Sequence, residues 1–156
     1  MATLTTEQAA QIARWKSAGE DIVFTNGVFD MLHPGHLAVL EAAARLGDVL
    51  IAGLNSDASA RALGKGESRP VLDEYARRIM LEALRVVDMV VLFDEPTPLE
   101  LIKLIAPDVL VKGEDYAGRE VVGREIVEEA GGRVELVALL PGYSTTDLLA
   151  RIRGGQ

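Results

Sequence analysis

Cysteine is absent from the chain, which removes disulfides, thiolate metal sites and a cysteine nucleophile at once. No apolar run approaches the ~20 residues of a membrane-spanning helix. Met1 to Gln8 is polar and lacks the charged-then-apolar pattern of a secretory signal. A cytoplasmic location is therefore expected. A basic surplus is also missing: the formal charge is −8, which argues against a nucleic-acid binder, whose affinity comes mainly from Lys and Arg neutralising phosphates. A small anionic substrate is still compatible, because only the local field at a site matters there.

What is present is an ordinary globular composition, 49% hydrophobic and 26% charged over 156 residues, enough for one domain with its own core. Apolar, β-branched runs alternate with amphipathic stretches. Strands are expected at Asp21 to Thr25, Val49 to Leu54, Val86 to Phe93, Val109 to Lys112 and Val134 to Leu140. Helices are expected at Thr6 to Ala18, His36 to Leu46 (stopped by Gly47), Asp73 to Arg85, Leu99 to Ile105, Arg119 to Ala130 and Thr145 to Arg153. Strands that are apolar nearly throughout belong to a parallel sheet covered on both faces. There is no repeat, low-complexity tract or linker. The fold class expected is α/β: a single doubly wound, Rossmann-like domain over 1–156, with a leading helix in 1–20 and a five-stranded core in 21–153.

In such sheets ligands sit beyond the carboxyl ends of the strands, which directs attention to Asn26 to His36, Asn55 to Arg69, Lys112 to Tyr116 and Pro141 to Thr146. The first of these holds both histidines of the chain, in His33-Pro34-Gly35-His36. Gly27 and Gly35 let backbone approach a phosphate closely. The next helix starts near Gly35, so its free N–H groups point into the same crevice. Two imidazoles there could donate to the oxygens of a bound phosphate. The pair could instead be metal ligands without a convincing third partner, or simple capping residues. The spacing is neither G-x-G-x-x-G nor a Walker A loop. One basic stretch, Arg61, Lys65, Arg69, Arg77 and Arg78, stands out from the acidic background; taken alone it reads as solvated surface.

Gly27 through His36 resembles the first signature of the cytidylyltransferase-like nucleotidyltransferase superfamily. Gly142-Tyr143-Ser144-Thr145-Thr146 resembles its Gly-x-Ser-Thr-Thr motif, and the resemblance runs from about Asp21 to Ile152. Within the superfamily the chain is most similar to the D-glycero-β-D-manno-heptose 1-phosphate adenylyltransferase group, through Asn55-Ser56-Asp57-Ala58-Ser59, Ser68-Arg69-Pro70-Val71, Val87-Asp88 and Val111 to Tyr116. In many bacteria that activity is the carboxyl-terminal half of a bifunctional kinase–adenylyltransferase; with no kinase half here, a stand-alone form is expected. Glycerol-3-phosphate cytidylyltransferases share both end motifs but carry an Arg where Leu139, Leu140 and Pro141 stand.

The resemblance implies an enzyme that transfers AMP from ATP to heptose 1-phosphate, giving ADP-heptose and pyrophosphate for lipopolysaccharide or surface-glycan precursors. It implies His33, His36 and Lys65 as catalytic residues. Nucleotide would contact Asn26, Gly27, Phe29, His33, Gly35, His36, Lys112, Gly113, Asp115, Tyr116, Gly142, Ser144 and Thr145. Substrate would contact Asp30, Asn55, Asp57, Arg69 and Arg77, with Arg78 a solvated neighbour. Mg²⁺ would be bound mainly through nucleotide phosphates, without a protein metal cage, and a homodimer is implied, with neither nucleic acid nor membrane as partner. The alternatives are a CTP-dependent enzyme acting on glycerol 3-phosphate or a related polyol phosphate, a non-catalytic nucleotide-binding module, and a flavodoxin-like or signalling domain.

Overall fold

A computed structural model describes residues 2–64, 66 and 68–154. The chain opens with α1 (Thr6–Ala18), β1 (Ile22–Gly27), α2 (Pro34–Ala44) and β2 (Val49–Asn55). Two helices follow, α3 (Asp57–Ala62) and α4 (Glu74–Glu82), then β3 (Met89–Phe93) and α5 (Leu99–Ile105). β4 (Val109–Gly113), a 3-10 turn at Glu114–Tyr116, α6 (Arg124–Glu129), β5 (Arg133–Val137) and α7 (Thr145–Gly154) complete it. The five strands form one parallel sheet in the order β3-β2-β1-β4-β5. The order reverses at β1, whose neighbours are β2 and β4, so the crevice beyond β1 and β4 is the switch point.

Alternation along each strand explains why helices cover both faces. Ile22, Phe24, Val49, Ile51, Val91, Phe93 and Leu110 point to one side, against Ile12 of α1, Leu101, Ile102 and Ile105 of α5 and Val127 of α6. Val23, Leu50, Ala52, Leu54, Val90, Val109 and Val111 point to the other, against Leu40 and Ala43 of α2 and Leu81 of α4. Each such Leu, Ile or Phe stabilises the fold by about 1.5–3 kcal/mol relative to an exposed side chain.

The helix starts are set by local side chains. Thr5 caps α1 in a reciprocal box with Gln8. Gln8 also donates its Nε2 to the carbonyl of Val90 on the outer strand β3, 3.1 Å away, a side-chain bond on a sheet edge. Ser56 and Asp73 cap α3 and α4.

Several elements differ from the sequence pattern. α3 was not expected: Ser56 and Asp57 start a short helix inside the Asn55 to Arg69 stretch. The expected helix to Leu46 ends at Ala44, and Gly47 is not its stop. A Cβ there would lie 2.7 Å from the carbonyl oxygen of Asp21, so Gly47 permits a close chain crossing. β3 begins at Met89 rather than Val86, since pairing with β2 starts only at Met89 opposite Ile51. The expected helix over 119–130 is confined to Arg124–Glu129. β5 ends at Val137, so the run to Leu140 is loop. Among the described residues no helix is long and apolar enough to cross a membrane.

Candidate functional site

The loop leaving β1 carries two non-glycine residues in the left-handed region, Phe29 (φ 49°) and Met31 (φ 52°). Each costs on the order of 1 kcal/mol or more and persists only where surroundings enforce it. Here they do. Phe29 is buried and meets the His36 ring edge-on at 5.5 Å. The Asp30 carboxylate accepts from Arg69 Nε (3.1 Å), Val71 N–H (2.8 Å) and Leu72 N–H (3.0 Å), tying the 69–72 segment to this loop.

His33 is the N-cap of α2, and Pro34 occupies its first turn. The Nδ1 of His33 accepts from the backbone N–H of His36 at 3.4 Å. That bond requires an unprotonated Nδ1, so the neutral ring carries its proton on Nε2. Burial holds the His33 pKa below the usual histidine value. The two imidazoles stack at 3.8 Å with planes 22° apart.

The two signature segments, more than a hundred residues apart in the chain, touch. A Cβ on Gly35 would lie 2.8 Å from the carbonyl oxygen of Tyr143 and 2.8 Å from the His33 ring, so only glycine allows the approach. Thr145, buried, donates its hydroxyl to the carbonyl of Asp30 at 2.9 Å. Ser144 Oγ accepts from the Asp147 N–H at 3.0 Å and caps α7. The N-termini of α2 and α7 thus border one cavity of about 840 Å³, lined by both histidines, Gly35, Arg69, Asp115 and the Gly142 to Asp147 turn. Two helix dipoles and two imidazoles there suit an extended polyanion.

A second cavity of about 430 Å³ lies over the ends of β1, β2 and β4. It shares His36, Val39, Arg69, Asp115 and Thr145 with the first, so a ligand in one can meet a ligand in the other at His36. Asn26, Gly27, Phe29, Asp30, Asn55, Lys112, Gly113 and Tyr116 line it. Lys112 Nζ contacts Asn26 Oδ1 and sits 5.3 Å from the centre of the Tyr116 ring. Burial pushes the Lys112 pKa down to about 8, with the nearby Asp115 opposing the shift.

Three of the expected roles change. Arg77 was expected to contact substrate, but it is fully buried and directs its guanidinium at the protein. Its Nε donates to the Leu72 carbonyl (3.0 Å), Nη1 to those of Val28 (2.7 Å) and Asn55 (2.8 Å), and Nη2 to Asp57 Oδ1 (2.7 Å). It is a brace under the crevice. Asp57, also expected to contact substrate, lines neither cavity and is the partner of that brace. Asp30 lines the cavity, but its carboxylate is engaged by the 69–72 segment. Lys65 lies outside the described residues. Arg78 pairs with Glu82 on the exposed face of α4.

Sequence reasoning missed the wall formed by Pro96, Thr97 and Pro98, which line the smaller cavity beside Leu63 and Val122. The signal was available. Glu95 to Pro98 follows the carboxyl end of β3, the side of such a sheet on which ligands sit.

Comparisons with known proteins bear on the same segments. A family model described as cytidylyltransferase-like matches residues 24–150. Over 148 residues the chain is 57% identical to the bifunctional protein HldE of Rhodopseudomonas palustris (strain BisA53), covering 95% of this chain and 30% of that protein. It is 54% identical over 147 residues to HldE of Azorhizobium caulinodans, covering 94% and 30%. The chain therefore spans about 30% of the length of these curated relatives. Among solved structures, the lipopolysaccharide core biosynthesis protein of Thermoplasma volcanium GSS1 matches with a TM-score of 0.65 and 31% identity, over 78% of this chain and 98% of that one. Pantoate-beta-alanine ligase of Francisella tularensis, solved with beta-gamma ATP and beta-alanine, shares the fold alone: TM-score 0.60, 15% identity, 93% and 75% coverage.

Proposed function

The chain belongs to the cytidylyltransferase-like family of nucleotidyltransferases, and from that premise we propose that it transfers AMP from ATP to a heptose 1-phosphate, yielding ADP-heptose and pyrophosphate for surface-glycan synthesis. The observation that carries this reading is the convergence of the His33–His36 turn and the Gly142–Thr146 turn on one cavity. The relative named for lipopolysaccharide core biosynthesis supports the glycan assignment.

In this reading the triphosphate lies across the two helix N-termini. The nucleoside reaches over Lys112 to Tyr116 into the smaller cavity, and a phosphate oxygen of the acceptor, seated beside Asn55 in the same cavity, attacks the α-phosphorus in line. The bond from that phosphorus to the bridging oxygen breaks, and its electron pair leaves on pyrophosphate. The His33 Nε2–H and the His36 ring donate to the phosphate oxygens where that charge grows. Lys112 and Arg69 offset the repulsion between two anions, and Lys65 is assigned to the same task as a point charge. No covalent enzyme intermediate is needed, so positioning and charge neutralisation supply the catalysis. Mg²⁺ would arrive on the nucleotide and add further neutralisation. The donor set suits that: with Asp30 engaged by backbone and Arg69, Asp115 is the carboxylate lining both cavities, enough to hold a water of the ion's shell.

Pyrophosphate release measured for ATP and CTP against heptose 1-phosphate, other sugar 1-phosphates and glycerol 3-phosphate tests the proposal. The largest kcat/KM is expected for ATP with heptose 1-phosphate. Preference for CTP with glycerol 3-phosphate would overturn it, and saturable nucleotide binding without turnover on any acceptor would replace it with a binding module. His36→Ala is expected to lower kcat by about 100-fold or more, as for loss of an oxyanion donor. Near-normal pyrophosphate release from the folded variant would remove His36 from the chemistry.

A further inference from the structure

Asn55 ends β2 as a buried residue, 4% exposed. Its orientation is fixed by chemistry rather than by shape. Ser59 Oγ donates its single proton to the carbonyl of Glu95 at 2.8 Å, so toward Asn55 it can only accept. The group 2.9 Å from it must therefore be the Asn55 amide nitrogen. Ser59 is held in turn by its own N–H on Ser56 Oγ (3.2 Å), and Ser56 by its N–H on the Phe93 carbonyl (2.9 Å). Arg77 pins the Asn55 backbone from below. The Oδ1 of Asn55 is left over. Among the described residues it receives no hydrogen bond, and it is not sealed from solvent. Asn55 lines the smaller cavity, together with Leu63 and the Pro96, Thr97 and Pro98 turn.

A buried acceptor with no protein donor, next to an apolar wall, is the arrangement that binds a hydroxyl on a ring with C–H faces. We infer that Asn55 Oδ1 selects a hydroxyl of a polyhydroxylated sugar phosphate, that Ser59 is the positioning residue that aims it, and that the Pro96–Thr97–Pro98 turn packs against the sugar ring. This inference rests on the proposed transfer reaction and names the residues that choose its acceptor. A site built to satisfy a hydroxyl rejects an analogue lacking it strongly, because the protein oxygen is then left unpaired.

The test uses pyrophosphate release at saturating ATP, with heptose 1-phosphate and its singly deoxygenated analogues, and ATP binding by calorimetry. Asn55→Leu is expected to reduce kcat/KM for the full acceptor by about 10- to 100-fold while ATP affinity is unchanged. One deoxy analogue should cost the wild type a similar factor and cost Asn55→Leu nothing further. Ser59→Ala should raise KM for the acceptor about three- to tenfold at constant kcat, as expected for one mis-aimed hydrogen bond, and Ser59→Thr should restore it. Additive losses across all analogues, or a parallel loss of ATP affinity, would overturn the assignment, and Ser59→Ala alone decides it if Asn55→Leu does not fold. Should the wild type turn over no acceptor, the reaction proposed above fails by itself. Saturation-transfer NMR with mannose 1-phosphate then decides the site: binding lost in the Asn55 and Ser59→Ala variants upholds it, and no binding to the wild type ends it.

Discussion

The two ends of the sheet solve opposite problems. Parallel strands present unpaired N–H groups at their starts and unpaired carbonyls at their finishes. At the starts, carboxylates supply the partners. Asp108 accepts from the Ile22 N–H, Asp88 from that of Leu50 and Asp48 from that of Asp21, at 2.8–2.9 Å. At the finishes, donors take over: Arg77 on the carbonyls of Val28 and Asn55, Thr25 on that of Val111, Thr145 on that of Asp30. Those amino-end carboxylates bond chain to chain. The carboxyl end keeps two left-handed residues, a buried lysine, stacked imidazoles and an open amide oxygen around a cavity. Stability is concentrated at one end, and at the other it is spent on groups held ready for a ligand.

Arg77 is where that division is most sharply tested, because it serves both purposes. Arg77→Met keeps much of the volume but leaves Asp57 and three carbonyls without their donor. Breaking a buried ion pair from one side costs about 3–5 kcal/mol, the largest loss expected of any single change here. Denaturant unfolding should register it directly, and acceptor KM should rise with it, since the Val28 and Asn55 backbone shapes the crevice floor. A loss of catalysis with unaltered stability would mean Arg77 works on substrate after all.

Lys112 should behave in the opposite sense. Its pKa falls from 10.5 to about 8 on folding, so burial penalises the charged form. Unfolded chains still bind the proton between those two values while the native state has released it, so stability rises with pH across that window. Below about pH 8 the penalty is fully present. Lys112→Met is accordingly expected to stabilise the protein at pH 7 by as much as about 3 kcal/mol, less the lost contact with Asn26. The gain should shrink as pH climbs toward 10.5, while nucleotide affinity drops at every pH. Thermal unfolding at pH 7 and pH 10 measures the trend. A variant less stable than wild type at pH 7 would show that the amine is integral to the fold rather than held there for a ligand.

What could be read before the structure follows the same divide between local and distant causes. α1 and α5 begin and end at the residues their periodicity and breakers indicate, and both faces of the sheet are apolar as the unbroken runs imply. The two signature turns were visible because each is a short contiguous string with its own backbone logic: glycine for close approach, a capping side chain, a helix start. Arg77 was misread because nothing local in the sequence marks it as a buried brace. Its partners, Val28 and Asn55, come from other elements, and only the fold brings them beneath it. Likewise Val86 and Val87 are as β-branched as a strand, but the ladder to β2 begins only at Met89 opposite Ile51. The 95–98 turn escaped notice because prolines announce where a strand stops, not what the turn then faces.

The smallest effect, and the cleanest control on the comparison, belongs to the amino end. Asp108 is itself exposed, yet its carboxylate caps the N–H of Ile22, a residue fully buried in the sheet. Asp108→Ala removes that acceptor while the backbone bonds from Asp108 to Ile22 and from Arg133 to Asp108 remain. Water can reach part of the vacated position, so the cost should sit near the low end of the range for an unsatisfied donor, about 1 kcal/mol. Asp108→Asn keeps an oxygen there and should recover most of it. Neither change should alter kcat, acceptor KM or ATP affinity once the folded fraction is accounted for, because the site lies beyond the opposite ends of the strands. A shift in acceptor KM from Asp108→Ala would show that strain at one end of the sheet is felt at the other, and that the two ends are not the independent regions their hydrogen bonds describe.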